Sequence, residues 1–205
     1  VAKLENSTVR IGVIEGTSKE DAESVGGGSG VILDNRIIAT NCHVALVKKN
    51  PNKESVILIK NINQKNYALA EIYKEAKEHD ICLLKRVEDS EFSFKMSPVK
   101  KFIKFSDLEK GEFVRALGTP EGLEGHTASG EINYFGLAGD SGHTNYGYEI
   151  SPKTKIISHS AVIAPGSSGG PLFDKDGNLI GLNTFGNEKL NFAVSADHIR
   201  EIWKN

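Results

Sequence analysis

A serine hydroxyl attacks a carbonyl carbon only when a base takes its proton and donors stabilise the charge formed on the carbonyl oxygen. The stretch Ala164-Pro165-Gly166-Ser167-Ser168-Gly169-Gly170-Pro171-Leu172 could serve that chemistry. Glycines on both sides let the backbone turn sharply, present a hydroxyl and gather N–H groups around one point. A Gly/Ser turn is common in β proteins, and alone it carries no function. Two upstream segments supply what it lacks. Ala39-Thr40-Asn41-Cys42-His43-Val44-Ala45 places a histidine at the end of an apolar run, and His79-Asp80-Ile81-Cys82-Leu83-Leu84-Lys85 places an aspartate at the start of another. A histidine can act as general base and then as acid for a leaving amine, while an aspartate fixes its tautomer.

Such groups, far apart in sequence, must be assembled by the elements between them. Short β-rich runs punctuated by turns predict strands over 8–14, 30–33, 36–40, 56–60, 67–73 and 81–87. A second set follows over 113–117, 127–135, 155–163, 171–173, 179–184 and 191–194. The polar segment 89–110 separates them, and apolar Ile199, Ile202 and Trp203 at helical spacing predict a docked terminal helix. The expected fold is all-β: two six-stranded antiparallel barrels, about 1–95 and 110–194, with a C-terminal helix over 195–204. Closure removes exposed strand edges. The run Gly26-Gly27-Gly28-Ser29-Gly30 lacks the Lys-Ser/Thr ending of a phosphate loop and reads as a flexible turn.

Bulk properties exclude several classes. The 25 basic residues are balanced by 27 acidic ones, so no nucleic-acid partner is expected, and the four lysines of 95–104 read as a solvated connection. No apolar run approaches the ~20 residues of a spanning helix. The five other histidines (His79, His126, His143, His159 and His198) are scattered and lack motifs, so neither a metal site nor a cofactor is expected. Cys42 and Cys82 read as two separately buried free thiols, with a bridge between them as the alternative.

The chain order His43, Asp80, Ser168 is that of chymotrypsin-like enzymes. With Ala116-Leu117-Gly118-Thr119-Pro120, Gly177-Asn178-Leu179-Ile180-Gly181-Leu182-Asn183-Thr184 and Asn191-Phe192-Ala193-Val194, the sequence resembles trypsin-like peptidases. The closest resemblance is to the HtrA/DegP protease domain, and it covers most of the chain. It implies a serine endopeptidase acting on extended or unfolded polypeptide, with a periplasmic or secreted location and either a monomer or a trimer. The family pattern Gly-x-Ser-Gly-Gly selects Ser168 over Ser167 as nucleophile. The backbone N–H groups of Gly166 and Ser168 become the oxyanion donors. Thr184 falls where the buried aspartate is supported, and Thr184, Phe185 and Gly186 fall where extended substrate pairs.

Departures from the pattern refine this. Ser167 stands where trypsin-type zymogens need an aspartate, so activation by a buried Val1 ammonium is not expected. Val1 itself reads as the start of a processed product. A pocket of Val162, Ile163 and Ala193 suits small or medium aliphatic residues, as in HtrA enzymes, and the chain stops where those enzymes continue into a peptide-binding PDZ domain. A protease-fold binding or chaperone-like module with low or signal-dependent turnover is the alternative function, and 137–151 is a candidate activation or substrate loop.

Overall fold

The computed structural model describes residues 2–16, 20–87, 95–119, 125–186 and 190–204. Among them, twelve strands close into two antiparallel barrels of six. The first contains β1 (Thr8–Gly16), β2 (Glu23–Ile32), β3 (Ile37–Thr40), β4 (Glu54–Asn61), β5 (Tyr67–Ala76) and β6 (Ile81–Arg86), joined in the order β1-β2-β3-β6-β5-β4. The second contains β7 (Phe113–Gly118), β8 (His126–Leu137), β9 (Lys155–His159), β10 (Pro171–Asp174), β11 (Leu179–Gly186) and β12 (Asn191–Ser195), in the order β10-β11-β12-β9-β8-β7. Helix Ala196–Lys204 follows. The expected strands and terminal helix all form; most ends shift by one to three residues, but β2 begins seven residues earlier than expected and β9 ends four earlier.

Period-two patterning explains the first barrel's interior. In β1, Val9, Ile11 and Val13 are buried while Arg10, Gly12 and Ile14 are half-covered. Strand β6 is buried on both faces, which a plain alternation would not give. Cys82 and Leu84 enter the first barrel's core, whereas Ile81 and Leu83 join a seam with Leu117, Leu182, Val194 and Ile199 of the second half. Burying each such large aliphatic side chain contributes roughly 1.5–3 kcal/mol. That shared seam fixes one barrel against the other.

Two expectations change. Residues 26–30 are not a flexible turn but the middle of β2, where a side chain would collide with neighbouring backbone. A Cβ on Gly28 would stand 2.7 Å from the Ser168 carbonyl oxygen. The basic connection does expose its lysines, but it is not a loose tether. Its backbone is tied to both halves, Val99 N–H to Ile32 O at 3.0 Å and Leu179 N–H to Lys101 O at 2.9 Å.

Candidate active site

Strand β3 is wholly buried and ends at Thr40; Asn41 then leads into the one-turn helix Cys42–Ala45, which carries His43 to the seam. Opposite, the 3-10 turn Lys77–His79 ends at Asp80, which opens β6. Asp80 has φ 54°, the one left-handed non-glycine among the described residues. Backbone strain of that kind concentrates at functional sites, and aspartate tolerates it better than most residues. The pairing of Thr40 with Cys82 sets both segments side by side.

The His43 N–H donates to Asp80 Oδ1 at 2.9 Å, and His43 Nδ1 meets Asp80 Oδ2 at 2.7 Å. This arrangement places the proton on Nδ1 and leaves Nε2 as the basic nitrogen. The Asp80 backbone carbonyl accepts from Cys42 N–H at 3.2 Å and from Asn41 Nδ2 at 3.0 Å. Cys42 and Cys82 are not separate free thiols; they form a disulfide with Cα atoms 4.8 Å apart. The ladder register fixes that proximity, so the alternative reading of the two cysteines, a bridge, is the one that holds.

Ser168 lies on the turn entering β10. Ser167 N–H donates to Ala164 O at 2.9 Å across Pro165 and Gly166, and Gly166 has φ +97°. Proline followed by a positive-φ glycine is the type II turn pattern. Among the described residues, neither Gly166 N–H nor Ser168 N–H donates to a protein acceptor. Ser29, from the glycine run of β2, bolts this turn to the first barrel. Its N–H donates to Ser168 O at 2.8 Å, and its hydroxyl donates to Gly166 O at 2.8 Å. From the other side, Gly169 N–H donates to Asn183 O at 2.7 Å. Ser168 Oγ donates to Thr184 O at 3.0 Å. Ser167 Oγ instead accepts from Ala164 N–H at 3.3 Å, and the residue is buried.

His43 and Ser168 face one cleft of about 490 Å³, also lined by Tyr146, Tyr148, Ile163, Ala164, Pro165, Thr184, Phe185 and Gly186. Of the expected pocket residues, Ile163 lines it. Val162 is 66% exposed outside it, and Ala193 is sealed in the second barrel's core. Thr184 reaches the cleft, yet its hydroxyl does not support the Asp80 carboxylate. It donates to Leu182 O at 2.9 Å and accepts from Asn41 Nδ2 at 3.0 Å. Its link to Asp80 therefore runs through Asn41 to the aspartate's backbone. Val1 and the zymogen question lie outside the described residues.

Sequence reasoning gave no role to Ser29, Asn41, Tyr146 or Tyr148 individually. Ser29 had a signal in the glycine run around it, and Tyr146 and Tyr148 belong to 137–151, the segment expected as an activation or substrate loop, which does border the cleft. The histidines are less scattered in space than in sequence. His79 stacks on His198 at 3.8 Å, and Glu201 Oε2 meets His198 Nδ1 at 3.1 Å. His198 Nε2 already accepts from Lys155 N–H at 2.9 Å, so both of its nitrogens are used. Rings stacked face to face also cannot both aim a lone pair at one ion. Burial, followed by the neighbouring His79, pushes His198 well below its ordinary range, and burial pushes His159 down to about 4.

The family described as trypsin-like peptidase domain matches residues 28–182, a span that contains His43, Asp80 and Ser168. The chain is 32% identical over 191 residues to serine protease HTR4 of Rattus norvegicus, covering 90% of this chain and 34% of that protein. It is 31% identical over 185 residues to serine protease HTRA1A of Danio rerio, covering 90% of this chain and 35% of that protein. The anti-sigma-I factor RsgI9 of Acetivibrio thermocellus is 31% identical over 185 residues, covering 89% of this chain and 23% of that protein. The chain thus spans about a third or less of the length of these curated relatives.

Proposed function

The chain belongs to the trypsin-like peptidase family, and from that premise we propose that it hydrolyses peptide bonds in extended polypeptides through an acyl-enzyme. The observation that carries the reading is the His43–Asp80 pair, bonded at 2.7 Å and facing Ser168 across one cleft. His43 Nε2 takes the Ser168 proton as Oγ bonds to the scissile carbonyl carbon. The resulting oxyanion is held by the Gly166 and Ser168 N–H groups. The imidazolium then gives its proton to the leaving amine, and water, activated by the same nitrogen, releases the acid. Asp80 steadies the imidazolium without taking the proton.

Substrate pairing as an added strand has support from the topology. Backbone bonds join β11 to β10 and the turn before it as far as Asn183, and the next residues, Thr184, Phe185 and Gly186, border the cleft. Ile163 and the neighbouring Ala164 and Pro165 give its floor an apolar character suited to small or medium aliphatic side chains. The buried Cys42–Cys82 bond supports a periplasmic or extracellular location, where disulfides persist. A second reading, turnover that waits for a signal, is favoured by one contact: the Ser168 hydroxyl rests on Thr184 O rather than on His43.

Labelling with an active-site fluorophosphonate tests the proposal. Wild type should label and Ser168→Ala should not, with peptide turnover falling on the order of 10⁶-fold. A folded wild type that never labels, with or without added unfolded protein, refutes the peptidase reading; labelling only with the additive supports the signal-dependent one. A peptide library cleaved chiefly after Arg, Lys or Glu refutes the aliphatic preference.

A further inference from the structure

Between β8 and β9 the chain makes an excursion that crosses to the first barrel. Ser151 N–H donates to Glu78 O at 2.7 Å, and Thr154 Oγ1 donates to Glu78 O at 3.2 Å while meeting His79 Nδ1 at 2.8 Å. The excursion is therefore anchored on the turn that presents Asp80. Within it, Tyr146 N–H donates to Tyr148 O at 3.0 Å, and Ile150 N–H donates to Thr144 O at 2.9 Å. These bonds make a tight ribbon, and its Tyr148 ring lies on His43, with centroids 4.6 Å apart and planes 20° from parallel. Tyr146 is braced in turn by stacking on Phe185.

Two loose ends meet beneath that stack. The Tyr148 hydroxyl is buried without a well-formed hydrogen bond among the described residues. Burial first, and then the adjacent Asp80 carboxylate, hold its phenol above the ordinary range, so it stays a neutral donor. The Asp80 carboxylate accepts two bonds from His43, although a carboxylate offers about four lone-pair sites. The hydroxyl expected to help it, that of Thr184, is spent on Leu182. A buried donor left unmade is costly, and the Asp80 carboxylate lies close enough to act on this hydroxyl.

We propose that Tyr148 is a positioning residue of the triad, its ring holding the His43 imidazole flat and its hydroxyl donating to the Asp80 carboxylate that His43 leans on. The proposal rests on the peptidase reading. The ring limits imidazole rotation, keeping Nδ1 on Asp80 and Nε2 toward Ser168. The hydroxyl shares the carboxylate's charge and keeps it from turning away as the imidazolium forms.

The test uses Tyr148→Phe, which keeps the ring and loses the hydroxyl, and Tyr148→Leu, which loses both. The first readout is the second-order rate of fluorophosphonate labelling, a probe small enough to report on Ser168 and His43 alone. The second is the low-field proton resonance of the His43 Nδ1–Asp80 bond. Losing one hydrogen bond to a charged group should slow Tyr148→Phe about tenfold. Its resonance should move downfield as Asp80 turns wholly to His43. Tyr148→Leu should label more slowly still. Tyr148→Phe labelling within about twofold of wild type, with its resonance unmoved, overturns the proposal. So does faster labelling of either variant, which would make the ring an obstruction. If Tyr148→Leu does not fold, Tyr148→Phe decides alone. A wild type that never labels sinks the peptidase reading, whereas the resonance still reports whether Tyr148 touches Asp80.

Discussion

Reducing the Cys42–Cys82 bond should harm the fold more than the site. The cross-link spans a separation of 40 residues, and freeing a loop of that length returns about 4 kcal/mol of freedom to the unfolded chain. Total stability for a domain is on the order of 5–15 kcal/mol, so that is a large share. It corresponds to a fall in the unfolding midpoint of roughly 10 °C for a chain of this size. The triad geometry is held separately by Cys42 N–H and Asn41 Nδ2 on the Asp80 carbonyl, and by His43 N–H on its carboxylate. Protein that is reduced yet folded should therefore label with fluorophosphonate within about threefold of the oxidised rate. Cys82 is fully buried and Cys42 nearly so, so reduction is done in denaturant before refolding. The assay is a thiol count on the unreduced, denatured protein, followed by unfolding and labelling of both forms at low temperature. Two free thiols at the outset, or an unmoved midpoint, would refute the cross-link. A loss of about a hundredfold in folded, reduced protein would refute the claim that hydrogen bonds suffice to hold the pair.

Acid should destabilise the fold through its buried histidines. His159 is pushed down to about 4 from 6.5 by burial, so the unfolded chain binds its proton first as pH falls. The stabilisation is fully present above about pH 6.5 and lost between there and about pH 4, roughly 3 kcal/mol for this one residue. His198 shifts in the same direction and adds to the effect. Denaturant unfolding at pH 7.5 and pH 5 checks it, and equal stabilities would refute it. Gly28→Ala should push on the Ser168 carbonyl and on Val44, slowing fluorophosphonate labelling about tenfold or more while leaving the protein folded. An unchanged rate would mean that the nucleophile turn is not seated by β2.

The features legible in sequence are local ones. Ile81, Leu83 and Leu84 announce β6 as an apolar run, and Ile199, Ile202 and Trp203 announce the terminal helix by their spacing. Ser168 stood out because its conformation needs flanking glycines, and His43 and Asp80 because each sits at a strand end. Segment 137–151 stood out as a candidate loop, but Tyr148 within it did not, since stacking on His43 depends on how far an irregular excursion reaches, and no periodicity encodes that. The disulfide was legible only as an alternative for a related reason: it follows from the pairing of Thr40 with Cys82, a register set by contacts along the whole strand. Residues 26–30 misled because glycine has two uses. One is to turn, and the other is to let backbones approach; β2 uses the second.

Those unseen residues share a position in the fold. Ser29 ties the first barrel to the Ser168 turn, Asn41 ties it to Thr184, and the Ser151–Glu78 bond ties the second barrel's excursion to the Asp80 turn. Each is a cross-barrel contact worth about 1 kcal/mol, small beside the apolar seam under them. The seam thus secures the two halves together, while these few bonds set their alignment at the cleft. Ser168 resting on Thr184 O is consistent with a site whose final alignment is made when substrate arrives. The Tyr148 stack belongs to the same layer of the structure, because it carries the second barrel's excursion onto His43 of the first. Substitutions along this layer should therefore change labelling rate well before they change stability, the opposite of what substitution of Leu83 or Leu182 in the seam would do.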